Sequence, residues 1–357
     1  MVEKMKKYLT VYNKVKKDIT DGALKYGDRL PSKRALSELM NVSVISVEHA
    51  YELLISEGYV ESKERSGYFV AYTKGEFYDY TETENASPKP RAAHGENEGV
   101  SFDKLAKTTR YVLNEYGEEL LSRAENKGAI ILRRAIKNYL QRNKGIAVDI
   151  ERIIVGSGAE HLYGLIIELL GDVRYAIESP TYEQTENIYK SKKVNLSPLA
   201  IGVNGIPSET LKNTAADVLH ITPFRNFPTG VCADVNKKAE YLNWAEGNGA
   251  FIIEDDYDSE FSVSGSISET VFSMDKEDRV IYVNSFSKTI ARSLRVGYMI
   301  LPKRLVKDFD EKLGFYSCTV PTLEQYVVAT ILSDGSFEKH INKIRRQRRL
   351  SSDKLNI

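Results

Sequence analysis

The sequence predicts an α/β protein in two parts: a small module of short helices and a hairpin, then a larger domain with a mostly parallel sheet covered by helices. A chain of 357 residues exceeds what one simple core organises. Over residues 73–100 Gly, Pro, Ser, Asn, Glu and Lys dominate, which predicts a solvated linker, with a long surface loop as the alternative. The predicted domains are therefore 1–72 and 101–357.

The bulk composition is that of an ordinary globular protein. Hydrophobic residues make up 42% and charged residues 28%, and the 50 basic residues balance the 50 acidic ones, which excludes a disordered or fibrous chain. Cys232 and Cys318 lie far apart without ligand spacing, so we expect reduced thiols and no metal. The N-terminus has no signal-peptide pattern, and no apolar run approaches the roughly 18 residues of a membrane span. We therefore expect a cytoplasmic protein.

The N-terminal module has the element order of a winged helix-turn-helix. Apolar spacing predicts helices over 8–19, 33–40 and 43–58, and residues 59–72 predict two strands around a tight turn at Ser66-Gly67. The segment LPSKRALSELMNVSVISVEHAYELLISEGYVESKERSGYFV resembles the GntR class of bacterial regulators along its whole length. This resemblance implies a double-stranded DNA operator, with the helix after Ser43 in the major groove.

Several polar side chains of this module are expected to contact DNA. Ser43 suits a hydrogen bond to DNA and equally well a helix cap, and both roles are compatible. Where relatives often carry Arg after the Val-Ser pair, this chain has Val44-Ile45, which can contact a thymine methyl but cannot read guanine bidentately. The expected DNA contacts are Ser32, Lys33, Arg34, Ser43, Val44, Ser46, His49 and, on the wing, Arg65.

Short β-branched runs bounded by turn residues mark the larger domain. The runs IIVGSG, YAIESP, VLHITP, FIIEDDY and VIYVNS predict buried strands, and such sheets bind ligands at the carboxyl ends of their strands. Residues 100 to 350 resemble fold-type I aminotransferases, through FIIEDDYDSEF at 251–261 and VIYVNSFSKTIARSLRVGYMILP at 280–302. The whole chain is similar to MocR-type regulators, which fuse that fold to a GntR head. The resemblance implies a pyridoxal 5′-phosphate (PLP) cofactor and a homodimer.

The resemblance assigns roles around the cofactor. Lys288 is the expected Schiff-base lysine, Asp255 faces the pyridinium nitrogen, and Tyr257, two residues further along the same strand, reaches the phenolic oxygen. Asp256 points to the other side of the strand, which indicates a structural role. The phosphate is expected to contact the side chains of Ser285, Ser287 and Arg295.

Further contacts rest on weaker patterns. The backbone amides of Ala159 and Glu160 follow a small-residue turn and can approach the phosphate, although the Glu160 carboxylate would repel it unless turned away. Tyr182 either stacks on the cofactor or is a core aromatic. Asn226 lies near the expected ring-binding turn, where relatives show Ser-His-Gln in place of Phe224-Arg225-Asn226.

The C-terminal part departs from the family pattern. Relatives continue beyond the point that matches Ile357, so the resemblance predicts a small domain that is incomplete and lacks the arginine that holds a substrate carboxylate. The basic run Arg345, Arg346, Arg348 and Arg349 is predicted to be a solvated helix face.

Three functions fit this sequence. The first is a transcriptional regulator that senses PLP or an amino acid through an aldimine at Lys288. The second is a working PLP-dependent aminotransferase with an appended DNA-binding domain, which would need a carboxylate-binding residue that the pattern does not supply. The third is a chain that binds DNA but no cofactor.

Overall fold

The computed structural model describes residues 7–64, 66–72, 99–262 and 269–355. Its contacts divide the chain into two compact units, Met1–Ala93 and His94–Ile357. The predicted linker falls almost entirely outside the described residues and stays a prediction. Val100, placed at its end, is buried in the second unit, where its backbone N donates to the carbonyl of Ile290 at 2.8 Å. The second domain therefore includes at least this residue of the predicted linker.

The first unit is a winged helix-turn-helix, as predicted. Its elements in chain order are α1 (Lys7–Thr20), α2 (Lys33–Met40), α3 (Val44–Ser56), β1 (Val60–Lys63) and β2 (Gly67–Val70). The predicted turn at Ser66-Gly67 is partly wrong, because Gly67 already belongs to β2 and pairs with Lys63 in the antiparallel ladder. Gly67 has a φ of +111°, a backbone conformation that residues other than glycine rarely adopt.

This unit has its own apolar core. One face of each helix and the ends of both strands meet around a set of fully buried side chains. The most deeply buried are Val11, Ile19, Val47, Ala50, Tyr51, Leu54, Val60 and Val70. Both helices of the helix-turn-helix begin with a serine cap: Ser32 Oγ accepts from Ala35 N, and Ser43 Oγ accepts from Ser46 N.

The second unit is an α/β domain built on one seven-stranded sheet. Its strands are β3 (Ile153–Gly156), β4 (Arg174–Ser179), β5 (Asn195–Ala200), β6 (Val218–Ile221), β7 (Phe251–Asp255), β8 (Val280–Ser285) and β9 (Gly297–Ile300). Its helices are α4 (Phe102–Tyr116), α5 (Ile130–Lys144), α6 (Ala159–Leu170), α7 (Glu183–Ser191), α8 (Ser208–Asn213), α9 (Val235–Asn248), α10 (Val271–Met274), α11 (Lys303–Leu313), α12 (Thr322–Ser333) and α13 (Ser336–Leu355).

The sheet is mostly parallel, which confirms the prediction. Its order is β3-β9-β8-β7-β6-β4-β5, and β9 is antiparallel to both of its neighbours. The five predicted strand runs form strands. The sequence analysis did not predict the other two strands, β5 and β9. β5 lies at the sheet edge and contains Pro198, which weakens a strand signal but is tolerated on an edge.

Helices cover both faces of the sheet, and alternation along β7 assigns its residues to opposite faces. Ile253 packs with α6 and α11, whereas Ile252 packs with α9. Asp255 therefore lies on the α6 side. Glu254 lies on the opposite side, where its carboxylate accepts from the backbone N of Val271 and Phe272 at the start of α10.

Candidate functional site

A cavity of about 490 Å³ opens at the carboxyl ends of β4, β6, β7 and β8. This is the edge at which parallel α/β sheets bind ligands, and the volume is in the range of small-molecule sites. The structure brings most of the expected cofactor residues together here. Among the predicted residues, the cavity is lined by Ala159, Glu160, Tyr182, Asp255, Tyr257, Ser285, Ser287, Lys288 and Arg295.

Asp255 presents a buried carboxylate to this cavity. The Tyr163 hydroxyl donates to Oδ2 at 2.5 Å, while Oδ1 is buried without a hydrogen-bond partner among the described residues. Burial raises the pKa of Asp255 to about 7, against the opposing effect of the Tyr163 hydrogen bond. A buried acceptor without a donor is costly, so this oxygen is suited to an N–H group that a ligand brings.

Tyr257 lines the cavity from a different backbone position than predicted. Strand β7 ends at Asp255, so the expectation that Tyr257 continues the same strand is wrong. The last ladder hydrogen bond joins Asp256 N to Val283 O, after which the chain bends. The bend still directs Tyr257 into the cavity, and burial raises the pKa of its hydroxyl to about 12.

Lys288 lies three residues beyond the end of β8. Its Nζ donates to Asp258 Oδ1 at 2.5 Å and lies 5.3 Å from the centre of the Tyr257 ring. Asp258 is buried, and its second oxygen faces Arg225 Nη1 at 3.4 Å. One carboxylate therefore holds the lysine and also contacts an arginine from the turn where this chain departs from the pattern of its relatives.

Ser285, Ser287 and Arg295 line the cavity and form what we call its cation end. Ser285 Oγ and Ser287 Oγ are 3.1 Å apart, and Arg295 lies where the turn before α6 approaches. Gly158 has a φ of +92°, and a Cβ at this position would lie 2.9 Å from Arg295 Nη2. The turn therefore favours glycine for its backbone conformation, and the guanidinium of Arg295 lies close against it. Arg295 Nη2 donates to Glu160 Oε2 at 2.5 Å.

Tyr182 and Asn226 have different surroundings. Tyr182 lines the cavity with 45% of its surface exposed and meets Phe227 edge to face, so it is not a core aromatic. Asn226 is buried and is not among the side chains that line the cavity. Its Nδ2 donates to Glu178 Oε2 at 3.0 Å and its Oδ1 accepts from Thr229, so its amide organises the 222–229 turn. A contact between Asn226 and the cofactor stays a prediction.

Asp256 belongs to a buried polar network on the opposite side of β7. Its Oδ2 accepts from Lys144 Nζ at 2.6 Å and from the Tyr282 hydroxyl at 2.5 Å. Glu260 continues the network through Tyr139 and Asn284. These contacts agree with the structural role expected for Asp256, since they link the end of α5 to the loop after β7.

The basic run on α13 is not simply a solvated face. Arg345 Nε donates to the carbonyl of Glu260 at 2.7 Å, and the Arg348 guanidinium lies 4.5 Å from the centre of the Phe261 ring. The same ring is 5.8 Å from Lys288 Nζ. Two of the four arginines thus contact the segment beside the lysine, which corrects that expectation.

The helix-turn-helix exposes the start of α3. Val44 and Ile45 are 41% and 64% exposed, whereas the hydroxyls of Ser43 and Ser46 bond to each other at 2.8 Å. Ser43 is therefore a cap, and its predicted DNA contact remains a prediction.

The other expected DNA contacts lie nearby. Arg34 and His49 are exposed, Ser32 caps α2, and the Lys33 ammonium is paired with Glu48. Arg65 lies outside the described residues. Arg29, which the sequence analysis did not single out, is exposed and pairs with Phe69 of the wing.

The sequence analysis also missed four residues in or beside the cavity. These are Tyr163 beside Asp255, Glu178 beside Asn226, Asp258 beside Lys288, and Arg292 at the cavity wall. The repeated acidic residues of DDYDSEF were a signal for Asp258. For Tyr163 the signal was its position one turn after Ala159 on the helix that begins at the cavity.

Comparison with known proteins agrees with this architecture. Residues 7–70 match the family of bacterial regulatory proteins called gntR, and residues 93–356 match aminotransferase class I and II. The HTH-type transcriptional regulator YdeL of Bacillus subtilis is 31% identical over 352 residues, which cover 95% of this chain and 76% of YdeL. A Rhizobium meliloti protein named as the probable rhizopine catabolism regulatory protein MocR is 27% identical, over 94% of this chain and 73% of its own length.

A solved structure supports the fold of the second unit. The kynurenine aminotransferase of Pyrococcus horikoshii, solved in complex with PMP, superposes with a TM-score of 0.62 at 24% identity. The match covers 68% of this chain and 63% of that enzyme, so the chain spans less than two thirds of its length.

Fold and site together define a transcriptional regulator in which a winged helix-turn-helix is joined to an aminotransferase-like domain. The chain belongs to the MocR-type subfamily of GntR regulators. Within the described residues, no helix has the length and apolar character to cross a bilayer, and no cluster of His, Cys, Asp or Glu is suited to a metal ion.

Proposed function

We propose that this regulator binds a DNA operator through α3 and the wing, binds PLP in the cavity at Lys288, and changes its operator affinity when the cavity is occupied. The carrying observation is Asp255 Oδ1, which is buried without a hydrogen-bond partner in the described part of the chain, on a residue that lines the same cavity as Lys288. A planar ligand with an N–H group and an aldehyde could donate a hydrogen bond to Asp255 and react with the amine of Lys288.

The residues present fit this cofactor. When bound, PLP supplies an aldehyde that condenses reversibly with primary amines. Asp255 would accept from the pyridinium N–H, and the raised pKa of its carboxyl would fall as that positive partner arrives. Tyr257 would donate its phenolic proton to a ring oxygen, and Ser285, Ser287 and Arg295 would hold the phosphate.

Lys288 changes partner in this proposal. Asp258 holds the Lys288 ammonium by an ion pair, and reaction with an aldehyde requires the neutral amine. Arg225 contacts the other oxygen of Asp258 and remains as its counter-charge when the lysine leaves. An amino acid with a free amine would compete with Lys288, which returns to Asp258.

Regulation then requires that the two states of the cavity differ in operator affinity. A ligand shifts an equilibrium only by its differential affinity for the two states, and the coupling is reciprocal. We propose a homodimer as the DNA-binding form, because dimers of this class of head bind two half-sites. Inverted repeats among duplexes selected from a random pool would support that form, and single half-sites would contradict it.

The first experiment is an absorbance titration of the full chain with PLP, comparing wild type with Lys288→Ala. We expect a visible band that borohydride makes permanent in wild type and that Lys288→Ala lacks. Lys307→Ala is the matched control, since Lys307 is a highly exposed lysine on α11 and its loss should leave the band unchanged. A band of equal size in Lys288→Ala would overturn the assignment of the cavity.

The second experiment measures affinity for a duplex selected by the full chain, with and without PLP and amino acids. A regulator predicts that occupancy of the cavity changes the Kd for the duplex, and that Lys288→Ala abolishes the change. Unchanged affinity despite a normal absorbance band would refute sensing. Steady conversion of an amino acid to its 2-oxo acid would favour the aminotransferase alternative.

A further inference from the structure

The cation end of the cavity contains an anion that belongs to the protein itself. Glu160 lies in the first turn of α6, and its Oε2 accepts from Arg295 Nη2 at 2.5 Å. Both side chains are about half exposed, at 49% and 48%, so the pair is open to solvent. Glu160 therefore occupies one of the donors that a phosphate would use.

The position of Arg295 makes this competition direct. Its guanidinium lies over Gly158, and Glu160 lies two residues further along the chain. Ala159 at the start of α6 lines the same cavity, as do Ser285 and Ser287, whose hydroxyls are 3.1 Å apart. A phosphate bound here would have to share Arg295 with the carboxylate or displace it.

We infer that Glu160 is a specificity-determining residue that weakens the binding of phosphorylated ligands, through competition for Arg295. This inference rests on the proposed binding of PLP. After displacement, the carboxylate faces a phosphate dianion at short range, and like charges at short range are unfavourable. Arg292, which lines the cavity and forms no ion pair within the described ranges, is available to either anion.

The consequence is a site whose occupancy follows ligand concentration. A site with a low Kd stays saturated at every ligand concentration well above that Kd, whereas a site with a higher Kd fills and empties as the concentration changes around it. Glu160 thus lowers affinity for the phosphate while leaving contacts to the ring unchanged.

The test compares PLP with pyridoxal, which lacks the phosphate, on wild type and Glu160→Gln. Because the ion pair is half exposed and screened, we expect Glu160→Gln to lower the Kd for PLP by about threefold to tenfold. The Kd for pyridoxal should change by less than about twofold, since its ring contacts are unaffected. Inorganic phosphate should compete with PLP more effectively in the variant. The gain for PLP should shrink at high ionic strength.

Glu168→Gln is the matched control, because it removes the same charge from the same helix at a site where Glu168 accepts from the Tyr316 hydroxyl. An equal gain in both variants would indicate a general charge effect and overturn the inference. So would unchanged PLP affinity in Glu160→Gln, or an equal gain for pyridoxal. Failure of wild type to bind PLP at all would instead refute the proposed function, so the two failures are distinguishable.

Discussion

At the scale of single residues, burial gives Asp255 its chemistry. This carboxylate is removed from water, and one of its oxygens has no hydrogen-bond partner within the described ranges. It therefore favours its neutral form, and the pKa of about 7 reflects this cost. Deep burial has the opposite effect on His220, whose pKa falls to about 3 and which is therefore neutral beside Tyr163 and Tyr189.

We predict that the stability of the unliganded protein falls with rising pH because of Asp255. The folded state keeps a proton on Asp255 up to about pH 7, whereas the unfolded chain loses it near pH 3.8, the ordinary pKa of an aspartate. The folded state binds more protons between these values, so the free energy of unfolding decreases by up to about 4 kcal/mol across the window.

Asp255→Asn should remove this dependence and still accept the hydrogen bond from Tyr163. Denaturant unfolding of wild type and Asp255→Asn at pH 5 and pH 8 measures the difference. Glu254, whose pKa is also raised to about 7, is present in both proteins and cancels in the comparison. Equal pH dependence in the two proteins would contradict the prediction.

At the scale of elements, the first turn of α3 combines a polar cap with an apolar tip. Ser43 satisfies the backbone N of Ser46, and Val44 and Ile45 extend outward. We predict that Ser43→Ala lowers the free energy of unfolding of the first unit by about 1 kcal/mol, because an N-cap hydrogen bond is lost. Denaturant unfolding measures the loss, and Ser66→Ala, in the wing turn, serves as the control without a cap.

The exposed apolar tip also predicts a preference in the operator. If Ile45 contacts a thymine methyl, replacing that thymine by uracil in a selected duplex should weaken wild-type binding by about fourfold, since a buried methyl contributes about 0.8 kcal/mol. Ile45→Ala should bind both duplexes equally. A wild-type protein that does not distinguish uracil from thymine at any position would exclude this contact.

The elements also show how far sequence reasoning reaches. Local patterns predicted α2 to the residue, the five strand runs and the two faces of β7, because period and capping are properties of neighbouring residues. Tyr163 was missed because its role depends on α6 packing beside β7, which is a contact between distant segments. Tyr257 was placed correctly in the cavity for a partly wrong reason, since the strand ends before it.

At the scale of the whole molecule, each unit has an apolar core made of its own residues. We therefore predict two thermal unfolding transitions by calorimetry. Saturating PLP should raise the midpoint temperature of the second unit alone. At a concentration one hundredfold above its Kd, PLP should add about 2.7 kcal/mol to the free energy of unfolding of that unit. Ser43→Ala should shift the other. A single transition that both changes move equally would contradict this prediction.

Asp255, the last residue of β7, and Asp256, which follows it, require a fixed number of residues in that strand. Successive side chains point to opposite faces of a strand, so Asp255 faces the cavity and Asp256 faces Lys144. Deleting one residue within β7 would move Asp256 to the position that faces the cavity and Tyr257 to the position that faces Lys144. The cavity would keep a carboxylate, whereas the lysine of the buried network would lose its own. A change of length within β7 is therefore expected to disrupt the buried network, whatever ligand the cavity binds.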